Sequence, residues 1–130
     1  MTPGTVVHHK KFKFEDGGES KKLMIILGGG GKKPLLFVIT TSQQHRRMSK
    51  EGCNPDEGYY FLPTGRDWFD RPTWVLVHNP MTLDPASIVK DNTLGLANIV
   101  HTLKGDTLRA IINCLQKSED VSDYHLSLLN

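Results

Sequence analysis

Thr40-Thr41-Ser42 ends one apolar run, and Lys21-Lys22 opens another. Hydroxyls beside paired ammonium groups are the makings of a phosphate site, since the hydroxyls donate to its oxygens and the lysines balance its charge. The same hydroxyls serve equally as turn residues that satisfy nearby backbone groups. Arg66-Asp67-Trp68-Phe69-Asp70-Arg71 is a second segment of this kind. Arginine forks suit phosphate, and an aromatic side chain in a loop can stack on a base. The plainer arrangement has Trp68 and Phe69 capping the core, with Asp67 and Arg71 as a surface pair. A third group of cations, Arg46 and Arg47, lies in the polar stretch Ser42–Gly58. Loops of that length in small domains are often functional.

The charge distribution suits a phosphate-bearing partner. The first 50 residues hold ten Lys/Arg and three Asp/Glu, a balance of +7, while residues 51–130 hold six and eleven, a balance of −5. The net charge of +2 therefore hides a basic half, which points to a polyanion. His8 and His9 adjoin Lys10 and Lys11. Adjacent residues of a strand face opposite sides, so one histidine at most lines a given pocket. Such a residue exchanges protons near neutral pH, although a solvated edge-strand histidine is the commoner arrangement. Gly28-Gly29-Gly30-Gly31-Lys32-Lys33 looks like a phosphate loop only superficially. Ile26 stands where the motif's first glycine belongs, Lys33 replaces its Ser/Thr, and Pro34 blocks the following helix. His45 and Cys53 lack a second pair of ligands, so neither a metal nor a cofactor is expected.

The elements that would position these residues are mostly strands. Residues 6–14 alternate loosely, and Asp16-Gly17-Gly18 signals a turn. Leu23–Leu27 and Leu35–Ile39 are short continuous apolar runs, which read as buried strands. Their linker is too short for a helical crossover, so they pair antiparallel. Tyr59–Leu62 and Thr73–His78 are the fourth and fifth strands, and a weak strand lies near Ala97–Val100. Asp84-Pro85 is an N-cap followed by proline at the first helical position. Leu108, Ile111, Ile112 and Leu115 make the single apolar stripe of a helix, with Asp106 as its cap or first-turn acid and Lys117 near its end. Ser118–Asn130 is a further turn or two of helix, or a frayed tail.

At 130 residues and 38% hydrophobic content the chain suits one domain, with no disulfide or metal required for stability. The two cysteines, Cys53 and Cys114, are expected to be reduced, as in an intracellular protein. Met1–Phe14 is polar and basic, unlike a secretory signal, and no apolar run approaches the ~20 residues that span a bilayer. The expected location is the cytoplasm.

The order of these elements resembles the MazF/PemK family of toxin endoribonucleases from bacterial toxin–antitoxin modules. In that family a strand leads to a loop containing Asp-Gly, a Lys-Arg-Pro stretch opens the next apolar strand, and a third strand ends in a pattern like Ile-Thr-Ser. The corresponding features here are Asp16-Gly17, Ser20-Lys21-Lys22, Leu23–Leu27 and Ile39-Thr40-Thr41-Ser42. Downstream, Phe69–Val77 is similar to the strand that carries a Thr before its apolar run, and Leu103–Leu108 is similar to the lead-in to the closing helix. The resemblance covers roughly residues 6–117, through short motifs whose order carries it.

It implies a mainly β, α+β fold, a small SH3-like antiparallel barrel with a C-terminal helix, and a homodimer. It also implies metal-independent cleavage of single-stranded RNA, with an antitoxin as protein partner. On that pattern Lys21 or Lys22 stabilises charge, Thr40 and Thr41 lie near the scissile phosphate, and Ser42, Arg46, Arg47, Arg66 and Arg71 bind RNA. The chain departs from the family where its catalytic arginine would lie, because Leu23 follows Lys22. Lysine lacks the planar fork that grips two oxygens. Either Lys21 or Lys22 substitutes, or Arg66 or Arg71 supplies the cation. The remaining alternative is a non-catalytic nucleic-acid- or protein-binding module on the same barrel, a gyrase-poisoning toxin included.

Overall fold

The two continuous apolar runs lie at the centre of the sheet. The computed structural model describes residues 1–13, 18–44, 46–47 and 50–129; the expectations for Phe14, Asp16, Gly17 and His45 fall outside them. Strands β1 (Thr5–Lys13), β2 (Glu19–Gly30) and β3 (Lys33–Thr41) pair antiparallel, with Val6 opposite Ile25 and Ile25 opposite Val38. Successive side chains leave a strand on opposite faces. Ile25, Leu27, Leu36 and Val38 accordingly join one core cluster, while Met24, Ile26, Leu35, Phe37 and Ile39 join another. A strand covered on both sides needs an unbroken apolar run rather than an alternating one.

The covering elements come from the rest of the chain. Helix α2 (Gly105–Lys117) contributes Ile111, Cys114 and Leu115 to the first cluster, and the tail adds Val121 and Leu128. Helix α1 (Pro85–Thr93) contributes Ile88 to the second. As the sequence predicts, Asp84 caps α1, accepting the Ala86 N–H at 3.0 Å, with Pro85 opening the helix. In α2 the N-cap is Lys104, which makes no side-chain cap bond, and Asp106 is a first-turn acid. The tail forms the short helix α3 (Asp123–Ser127).

The remaining strands are β4 (Gly52–Asn54), β5 (Tyr59–Leu62), β6 (Thr73–Val75), β7 (Met81–Leu83) and β8 (Ala97–Thr102). The path runs β4-β5-β6-β3-β2-β1-β8, with β7 also paired to β3, and every pairing is antiparallel. The class is mainly β, α+β, as expected; the path is open rather than a closed barrel. Two local expectations need correction. The strand foreseen over Thr73–His78 ends at Val75, and the chain turns before β7. This lets β6 pair with Thr40 and Thr41 while β7 pairs with Leu35–Phe37, so that two short strands share one edge of β3. The polar stretch Ser42–Gly58 holds β4, which pairs with β5.

The cysteines give a third correction. Cys53 of β4 and Cys114 of α2 form a disulfide, with Cα atoms 5.4 Å apart, rather than two reduced thiols. Sheet pairing brings β4 under the helix, a proximity that a separation of 61 positions conceals. Among the described residues, no helix is long and apolar enough to cross a membrane.

Candidate functional site

A cleft of about 680 Å³ opens where the first core cluster ends. The sheet's two-residue repeat explains its position. Val6, Ile25 and Val38 lie in that cluster, and two residues further along their strands come His8, Leu23 and Thr40. Another two-residue step along β2 reaches Lys21. One face of the sheet thus passes from apolar core to a polar floor, and His8, Lys21, Leu23 and Thr40 all line the cleft. Lys22 and Thr41 are one residue out of phase with this row yet also line it, as do Ser42 and, from the loop before β6, Trp68, Phe69, Asp70 and Arg71. Thr40 is buried, Lys22 and Thr41 are half-buried, and Lys21, Ser42 and Arg71 are exposed.

Six of the nine residues expected in the site therefore share one cleft: Lys21, Lys22, Thr40, Thr41, Ser42 and Arg71. The other three lie elsewhere. Arg46 and Arg47 line a separate recess with Glu57 and Tyr59, and Arg66 forms an ion pair with Glu51. Of Arg66 and Arg71, the two arginines of the loop before β6, Arg71 is the one that lines the cleft.

His8 was not among the expected site residues. β1 lies between β2 and β8, so His8 is not on an edge strand but half-buried at the cleft. Alternation along the strand was the available signal, and it separates the two histidines as expected. His9 lines a different recess, where its Nε2 lies 2.9 Å from Asp91 Oδ2 and its Nδ1 accepts the Lys11 N–H at 3.1 Å. Because Nδ1 accepts, Nε2 is the nitrogen that donates to Asp91.

Asp67 organises the loop beside the cleft. Its side chain is fully buried, with Oδ1 2.7 Å from His101 Nε2 and Oδ2 accepting the Lys104 N–H at 3.0 Å. Burial pushes its pKa up, but hydrogen bonds from His101, the Lys104 backbone and the Thr107 side chain outweigh this and hold it below the ordinary value. The carboxylate also lies at the amino-terminal end of α2, where negative charge is favourable and the helix's own N-cap residue offers no side-chain bond. The two aromatic residues that follow differ in placement. Phe69 is buried in the core, whereas Trp68 is exposed at the cleft.

Asp67 has φ +56°, a region that asparagine also tolerates, so Asp67→Asn removes the charge and one of the two acceptor oxygens without straining the backbone. The expected cost is about 1–3 kcal/mol near neutral pH. A carboxyl held below its ordinary pKa stabilises the fold fully above that ordinary value, and the effect is lost as the pH falls from there through the lowered folded-state value. Urea denaturation at about pH 7 and about pH 3 should therefore show the wild-type advantage shrinking in acid. A gap that is equal at both pH values would contradict the charged role.

The cleft combines cations and hydroxyls suited to phosphate with a histidine able to move a proton. No protein-family model matches the chain, and no curated protein matches it.

Proposed function

We propose that the protein is a metal-independent endoribonuclease that cleaves single-stranded RNA in this cleft. The supporting observation is the convergence there of Lys21, Lys22, Arg71, Thr40, Thr41, Ser42 and His8. In the reaction a base removes the proton of a 2′-hydroxyl, and that oxygen attacks the adjacent phosphorus. The bond to the 5′-oxygen breaks, the leaving oxygen takes up a proton, and a 2′,3′-cyclic phosphate remains. His8 is assigned to proton transfer. Lys21 and Arg71, with Lys22 beside them, stabilise the negative charge that builds on the phosphoryl oxygens. Thr40, Thr41 and Ser42 orient the phosphate.

The wider reading is a MazF/PemK-like toxin, working as a homodimer in the cytoplasm and neutralised by an antitoxin laid across the same basic surface. The resemblance in element order and the basic first half support it. The Cys53–Cys114 bond weighs against the location, because disulfides are rare in reducing compartments.

The test is purified protein on mixed-sequence single-stranded RNA in EDTA. Cleavage leaving cyclic phosphate ends is expected, and it should fall about 10²-fold or more in Lys21→Ala, Arg71→Ala and His8→Ala. Arg109→Ala, which removes an exposed cation of α2, should cleave like wild type. No cleavage, or equal loss in all four variants, would sink the assignment.

The absence of the family's arginine favours a second reading, a non-catalytic nucleic-acid- or protein-binding module, a gyrase-poisoning toxin included. It predicts salt-sensitive binding of RNA or DNA without strand scission.

A further inference from the structure

Trp68 takes no part in the bond-breaking chemistry, yet it lines the cleft with 41% of its surface exposed. The chain's other tryptophan, Trp74, is 2% exposed. An exposed indole on a loose loop would signify little, but this one is held on both sides. Asp67 before it is anchored by His101 and the Lys104 N–H, and Phe69 after it is buried in the core. The loop also closes on itself, with the Gly65 N–H donating to Phe69 O at 2.8 Å and the Phe69 N–H to Arg66 O at 3.2 Å. The His101 ring lies nearly parallel to the indole, 14° between planes and 5.4 Å between centroids, an offset stack. Phe69 meets it edge-on at 5.4 Å.

We infer that Trp68 is a preformed stacking platform for an unpaired base of a nucleic-acid strand whose phosphates lie against Lys21 and Arg71. The inference deepens the nucleic-acid reading above and rests on it. A fixed aromatic ring next to cations is how proteins hold single strands, and its low sequence preference follows from every base having a π face. Bases inside a duplex already have both faces covered by their neighbours, so the platform selects unpaired strands. Because the indole is already ordered, little conformational freedom is lost on binding.

A 2′-deoxy oligonucleotide has no 2′-hydroxyl to attack, so binding can be measured without cleavage. At constant salt, a base-bearing strand should quench the tryptophan fluorescence of the wild-type protein. It should also bind about fivefold or more tighter than an abasic strand of the same length and charge. Trp68→Ala should abolish both the quench and the preference, whereas Trp68→Phe should keep most of the preference. Equal binding of base-bearing and abasic strands by wild type overturns the platform and leaves the cleavage reading intact. Quenching and preference with no scission of the corresponding ribo-strand support the platform and overturn the ribonuclease. Failure of any strand to bind overturns both.

Discussion

Alanine at Gly29 should destabilise the protein by about 4 kcal/mol or more, while alanine at Gly31, two residues away, should cost only about 1 kcal/mol. Both glycines have positive φ, +77° and +67°, so an L side chain is strained at each. The difference lies in what a methyl group would meet. At Gly31 there is nothing within 4 Å, whereas at Gly29 the new Cβ would lie 1.8 Å from the carbonyl oxygen of Pro34. That oxygen is backbone of the paired strand β3, so no rotamer change can move it aside. Gly28 is similar, with its Cβ falling 2.1 Å from Leu128 O. The Gly29 N–H donates to that same Leu128 carbonyl at 2.9 Å, and the Leu128 side chain belongs to the core. The glycine run thus permits close backbone approach at two irregular points of the β2–β3 ladder and lets the tail dock there. Urea midpoints of the two alanine variants, compared at equal slope, measure the difference. Equal midpoints would remove the steric account.

Reduction of the Cys53–Cys114 bond should have an effect of similar size. The bond closes a loop of 61 positions, for which the chain-entropy relation gives about 4 kcal/mol. In a domain of this size that lowers Tm by more than about 10 °C. Dithiothreitol and the Cys53→Ala/Cys114→Ala double variant should agree in direction, and alanine avoids placing a hydroxyl at the buried Cys114 position. The loss should be greatest at β4, a three-residue strand at the end of the sheet path, tethered to α2 through this bond. Amide exchange at Gly52–Asn54 should accelerate more than exchange in β2 or β3. Identical melting of oxidised and reduced protein would show that sheet pairing alone holds β4.

What could be read in advance follows the range of the forces involved. The β2–β3 hairpin was legible because Leu23–Leu27 and Leu35–Ile39 are apolar over lengths that only a doubly covered strand needs. The start of α1 was legible because Asp84 caps it through a bond to a backbone N–H two residues away. β4 and β7 were not legible. Each is three residues long, and each exists because a partner, β5 or β3, offers it free backbone groups. The division of the arginines was hidden for the same reason. Arg66 and Arg71 are five positions apart on one loop, but Arg66 turns to Glu51 while Arg71 lines the cleft.

Thr40-Thr41-Ser42 and Lys21-Lys22 mark the same boundary. The sequence alone determined that lysines directly precede one buried apolar run and hydroxyls directly follow the other, because the apolar pattern and its ends are local facts of composition. Only the tertiary structure decided that they line one cleft with Arg71, Trp68 and His8. The pleat sends every second side chain to the same face, and pairing brings β1, β2, β3 and the loop before β6 alongside one another. It likewise decided the role of Asp67, whose buried carboxylate is held by His101 and Lys104, more than thirty positions along the chain. Local pattern specifies elements, but which residues share a pocket is set by strand register and long-range packing.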